Sequence, residues 1–143
     1  MRFRLATLLI AVFFAGLGFP MLRDWLEKRQ LALSDFTSER LADELDAGRP
    51  VLVSIFARWD SILDDQLRRM SDDVARKIRD RDVAVLRADW TEKSGDVDQL
   101  MTRLGLGTVP AFAIFLPDNR MNPMILRDLT TEAELIAILD SLP

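Results

Sequence analysis

A chain of 143 residues is long enough for one domain and an appendage. It holds no Cys and no His, which removes disulfides, thiolate nucleophiles, Cys/His zinc sites, histidine haem ligation and histidine acid–base catalysis. The net charge of −4 is unevenly spread: residues 1–29 hold five of the 19 Lys/Arg and two of the 23 Asp/Glu, a balance of +3, while the remainder stands at −7 with no basic stripe, so nucleic acid is not an expected partner.

The amino terminus opens on Arg2 and Arg4, and Leu5 to Leu22 then runs 18 residues without a charge. A stretch of about 20 apolar residues spans a bilayer, and Trp25 lies three residues past the run, where an interfacial aromatic sits. Residues 1–25 therefore read as a single-pass anchor. A cleaved signal peptide is the alternative, although no clean small-x-small cleavage pattern is present. Cations flank the run on both sides, so charge does not fix its orientation; a short amino-terminal segment of this kind usually exports the domain attached to it. Residues 26–35 read as a juxtamembrane linker.

Beyond the linker, Thr37 or Ser38 begins a helix whose Leu41 and Leu45 share a face, with Gly48 past its end. Val51 to Phe56 is a nearly continuous apolar run, a buried strand. A helix is expected after Trp59, with Leu63, Leu67 and Met70 inward, and Ser71-Asp72-Asp73 restarts a helix through Val74 and Ile78. Val83 to Leu86 predicts a second strand, Asp96 or Gly95 a helix ending at Gly105, and Ala111 to Leu116 a third strand. A turn at Pro117–Arg120, a short strand around Met124–Leu126 and a helix capped near Thr130–Thr131 complete the order. This is an α/β arrangement with a mixed sheet.

Several stretches carry a resemblance when taken in order: Gly48-Arg49-Pro50-Val51-Leu52-Val53, Phe56-Ala57-Arg58-Trp59, Leu86-Arg87-Ala88-Asp89-Trp90-Thr91, and Leu104 to Pro110, then the helix from Thr131 to Leu139. Residues 36–143 resemble the thioredoxin fold. In particular they resemble the periplasmic carboxy-terminal domain of the transmembrane thiol:disulfide interchange reductases. The implied architecture is a thioredoxin-like mixed β-sheet flanked by helices and preceded by one transmembrane helix.

The resemblance assigns positions and shows what stands in them. Where the family has its nucleophilic Cys this chain has Asp60, and where it has the resolving Cys it has Leu63. The position of the family's buried, proton-relaying acid holds Ser54, while the proline facing the disulfide, usually cis, corresponds to Pro110 after Val109. A retained scaffold without dithiol–disulfide exchange is implied, with no cofactor and no metal expected.

The family's groove binds extended polypeptide by backbone pairing; here Trp59, Ile62, Val109 and Ala111 would rim it. Ordinary packing is the simpler explanation of each of these residues taken singly, and helix capping explains Asp60. A cation or acid–base site built on Asp60, Asp64 and Asp65 is the competing enzymatic reading, although hard cations want six or more oxygens. Asp89 and Asp98 read as solvated, and the run Arg76-Lys77-Arg79-Arg81 as a solvated helix face. The expected role is a redox-inactive binding module, accessory subunit or assembly factor of a membrane complex, with membrane or envelope proteins as partners and the globular part extracytoplasmic. A divergent thiol:disulfide interchange family protein is a further alternative.

Overall fold

A computed structural model describes residues 32–59, 72–127 and 131–143. The expected anchor, and the segment holding Asp60, Ile62, Leu63, Asp64 and Asp65, lie outside these residues. Among the described residues no helix is long and apolar enough to cross a membrane.

The elements in order are β1 (Leu33–Asp35), α1 (Ser38–Asp46), β2 (Val51–Phe56), α2 (Asp72–Asp80), β3 (Ala84–Asp89), α3 (Gly95–Leu104), β4 (Ala111–Phe115), β5 (Met124–Leu126) and α4 (Glu132–Ser141). The strands form a five-stranded sheet in the order β1-β3-β2-β4-β5. β3 runs parallel to both β1 and β2, whereas β4 is antiparallel to β2 and β5, so the sheet is mixed.

Local chemistry accounts for the helix ends. The Thr37 hydroxyl accepts the Arg40 amide at 3.0 Å, which settles the start of α1 on Thr37. Thr131 and Glu134 form a reciprocal capping box on α4. Gly105, at φ 64°, ends α3 in the left-handed conformation that glycine adopts without a Cβ clash.

The sheet separates two apolar layers. Val51, Val53 and Ile55 point to the face covered by α1 and α3, where Leu41, Leu45, Leu100, Met101 and Phe115 join them. Leu52, Phe112 and Ile114 point to the other face, with Val74 and Ile78 of α2 and Leu135 and Leu139 of α4. All six residues of β2 are buried, as expected of a central strand covered on both faces. Burying one such large apolar side chain is worth about 1.5–3 kcal/mol.

Away from the candidate site, the structure differs from the sequence reading at two places. Leu33–Asp35, expected to close the linker, is instead edge strand β1, in register with Val85, Leu86 and Arg87, and the Phe36 amide donates to the Arg87 carbonyl at 2.7 Å. A three-residue, half-exposed strand has no apolar run to announce it; its backbone pairs because β3 offers a free edge. The cations of residues 76–81 do more than face solvent. Lys77 pairs with Asp140 at 2.6 Å, and Arg81 donates to the carbonyls of Leu142 and Asp140 at 2.9 and 2.8 Å. Helix α4 has no basic residue in its last turn, and Arg81 of the neighbouring segment supplies that charge and satisfies carbonyls left open at its end.

Candidate functional site

The two central strands deliver the candidate site to one end of the sheet. Ile55 of β2 pairs with Ala111 of β4, so Trp59, just past β2, and Pro110, just before β4, lie at the same end. The Val109–Pro110 bond is cis. Val109 is half-buried and packs against the α1/α3-side core, as does Trp90. Trp59 is 59% exposed, which sets it apart from a core tryptophan.

A polar network holds the loops around it. The Trp90 amide donates to the Phe56 carbonyl at 2.8 Å, extending the β2–β3 pairing by one residue. The Arg58 amide donates to the Thr91 hydroxyl at 2.9 Å, and Thr91 in turn donates through its hydroxyl and its amide to the Asp89 carboxylate. The Arg58 guanidinium stands 3.4 Å from the same carboxylate. Partial burial pushes the Asp89 carboxyl up, but the two Thr91 hydrogen bonds and the Arg58 charge outweigh it and leave its pKa below the usual value.

Lys93 sits at φ 49°, with its amide bonded to the Trp90 carbonyl at 3.1 Å. Its ammonium lies 5.5 Å from the Trp59 ring centre and 5.0 Å from that of Trp90. Contacts of this kind contribute about 0.5–1 kcal/mol at exposed sites. The Trp90 indole N–H donates to Asp98 at 3.0 Å, so Asp98 anchors that ring. Asp89 and Asp98, read from sequence as solvated, are therefore both tied into the loops around Trp59.

The remaining sequence-derived positions divide. Ala111 is 2% exposed, and its methyl group belongs to the core beside Ile55, so it offers no side chain to a rim. Ser54 is completely buried on the α2/α4 side of β2, between Arg87 and Phe112 in the register, and its hydroxyl has no hydrogen-bond partner among the described residues. A serine hydroxyl does not ionise near neutral pH and does not replace a carboxylic acid as a proton relay. Among the described residues no three Asp or Glu side chains gather to hold a metal ion. Sequence reasoning missed Lys93 and Thr91; the turn after Trp90 brings them to the site, and their spacing alone gives no signal.

No family model matches the chain, and no curated protein matches it. Solved structures do. The C-terminal domain of DsbD from Neisseria meningitidis in its oxidised form superposes with a TM-score of 0.59 at 16% identity, covering 76% of this chain and 97% of that domain. A thioredoxin from Thermus thermophilus gives 0.58 at 18% identity over 77% of this chain and 85% of its own. Trxlp from Edwardsiella tarda EIB202 gives 0.57 at 13% identity over 76% and 98%. This chain has a thioredoxin-like fold. The thioredoxin-like scaffold is present without any cysteine, and the end of its sheet displays an exposed tryptophan, a lysine between two indoles and a hydrogen-bonded carboxylate. These groups suit non-covalent docking and supply no thiolate for exchange chemistry.

Proposed function

We propose that this chain is a membrane-anchored, redox-inactive thioredoxin-like module that docks a polypeptide segment of a membrane or envelope protein, as an accessory subunit or assembly factor. The observation that carries the reading is Trp59, 59% exposed beside Lys93 and Trp90 in a chain with no thiol. Tryptophan is costly to leave in water and is enriched at binding hot spots. The apolar run of residues 5–22 supports attachment to a membrane. Attachment confines the domain to the membrane plane and raises the effective concentration of any partner there. The globular part stands outside the cytoplasm in this reading.

The test is purification of the tagged full-length chain from native membranes in gentle detergent, with mass spectrometry of what accompanies it, alongside Trp59→Asp. A stoichiometric membrane protein recovered with the wild type and lost with Trp59→Asp is the expected result. Recovery of the chain alone, or equal recovery of the partner by the variant, counts against this surface. The same preparation is expected to show no insulin reduction above background, and turnover would overturn the redox-inactive reading.

A further inference from the structure

A concave site lies at the opposite end of the sheet from Trp59. Phe115 closes β4 four residues beyond Ala111, about 14 Å away at the rise of an extended strand. Around it, α1 and α3 leave a cavity of about 450 Å³ between them. That volume lies within the range of small-molecule sites. Its floor is apolar, built from Leu41 and Leu45 of α1, Leu100 of α3, and Phe115. At its mouth stands Met121, 81% exposed, an adaptable apolar side chain left in water beside an apolar hollow.

The charges at the mouth are not balanced among themselves. The Arg120 guanidinium is already held, by Asp46 at 2.7 Å and by the Pro117 carbonyl at 3.1 Å. The amide of the lining residue Ser38 is satisfied as well, donating to Asp96 at 2.7 Å at the positive end of α1. Arg103 is different. Its guanidinium lies 5.5 Å from the Phe115 ring centre, and among the described residues it has no carboxylate partner. A cation so placed over the aromatic wall of an apolar cavity matches one negative charge on an apolar chain.

We propose that this cavity binds an amphipathic monocarboxylate, its acyl chain lying between α1 and α3 and its carboxylate paired with Arg103. A dianionic headgroup would leave one charge uncompensated, because Arg120 is committed elsewhere. This site is independent of the docking surface around Trp59.

The test is photolabelling of the full chain with a diazirine analogue of decanoate, mapped by mass spectrometry. Label is expected on peptides containing residues 36–45 and 99–103, competed by unlabelled decanoate and much less by decanol. Arg103→Glu should weaken the labelling affinity roughly tenfold or more, the size of one charge-assisted hydrogen bond, with Arg103→Lys restoring part of it. Ala42→Trp, at an exposed position lining the cavity, should remove the label by filling the space while leaving the circular dichroism spectrum unchanged. Label confined to residues 1–31 or to the Trp59 loops, equal competition by decanol, or unchanged affinity in Arg103→Glu would each overturn the proposal.

Discussion

At the end of the sheet where β2 and β3 finish, Arg58, Asp89, Thr91 and Lys93 are knitted together by exposed polar contacts around Trp59 and Trp90. At the other end, Val51 and Phe115 pair in register, both fully buried, and the helices close over apolar side chains, with Arg103 at the rim lacking a carboxylate partner among the described residues. Both ends hang on the same two strands, and all eleven residues of β2 and β4 are buried. The scaffold energy is therefore stored in the middle of the sheet, while the loops at either end carry chemistry worth a few kcal/mol at most.

Damage to the centre should erase the difference between the ends. Phe112, 2% exposed in the α2/α4 layer, supports both at once. Phe112→Ala should cost about 3–5 kcal/mol in urea unfolding and abolish partner recovery and acyl labelling together. A variant that lost one function and kept the other would show that the ends do not share a scaffold. Trp59→Asp should separate them instead. At an exposed position its stability cost should stay within about 1 kcal/mol, the size of the lost Lys93 contact, while partner recovery is lost and acyl labelling continues. Ser54→Ala probes the strand between them, because it removes a buried hydroxyl with no partner among the described residues. An unsatisfied buried polar group costs about 1–3 kcal/mol, so the variant should gain up to about 1 kcal/mol in urea unfolding once the small packing loss is included. A loss of that size would mean that the hydroxyl is serving a partner.

The scaffold is legible in the sequence because its signals are local. Val51–Phe56 and Ala111–Phe115 are apolar with Ser54 as the one polar interruption, Gly105 stops α3, and Thr131 with Glu134 starts α4. β1 is not legible, since Leu-Ser-Asp becomes a strand only through its neighbour β3. At the candidate site, resemblance points to Trp59 and Pro110, but it supplies position without exposure; that is why it puts Ala111 on a rim when both faces of β4 are covered. The Trp90–Asp98 and Lys93–indole contacts are out of reach for a different reason. They depend on how the turn after β3 folds back, a property of the backbone path that no spacing rule encodes.

Asp89 offers the smallest and most specific probe of the polar end. Its folded-state pKa lies below the ordinary value of 3.8, because the Thr91 hydrogen bonds and the Arg58 charge overcome the opposing effect of burial. A carboxylate with a depressed pKa contributes stability that is fully present above the unfolded-state pKa and is lost as pH falls through the folded-state pKa. The Asp89 contribution should therefore be constant from neutral pH down to about 4 and fade only below 3.8. The carboxylate side chain is 35% exposed and Arg58 is 78% exposed, so solvent screens the pair and the effect should be a few tenths of a kcal/mol. Asp89→Asn keeps an oxygen to accept from Thr91 and removes only the charge. Urea midpoints of wild type and variant should accordingly differ slightly at neutral pH and converge in the acid range. Added salt should narrow the neutral-pH gap, because the Arg58 attraction is the screened part of it. Parallel loss of stability in both proteins down to the lowest pH would show that the Asp89 charge adds nothing to the loop, and that Thr91 alone holds Arg58 and Trp59 in place.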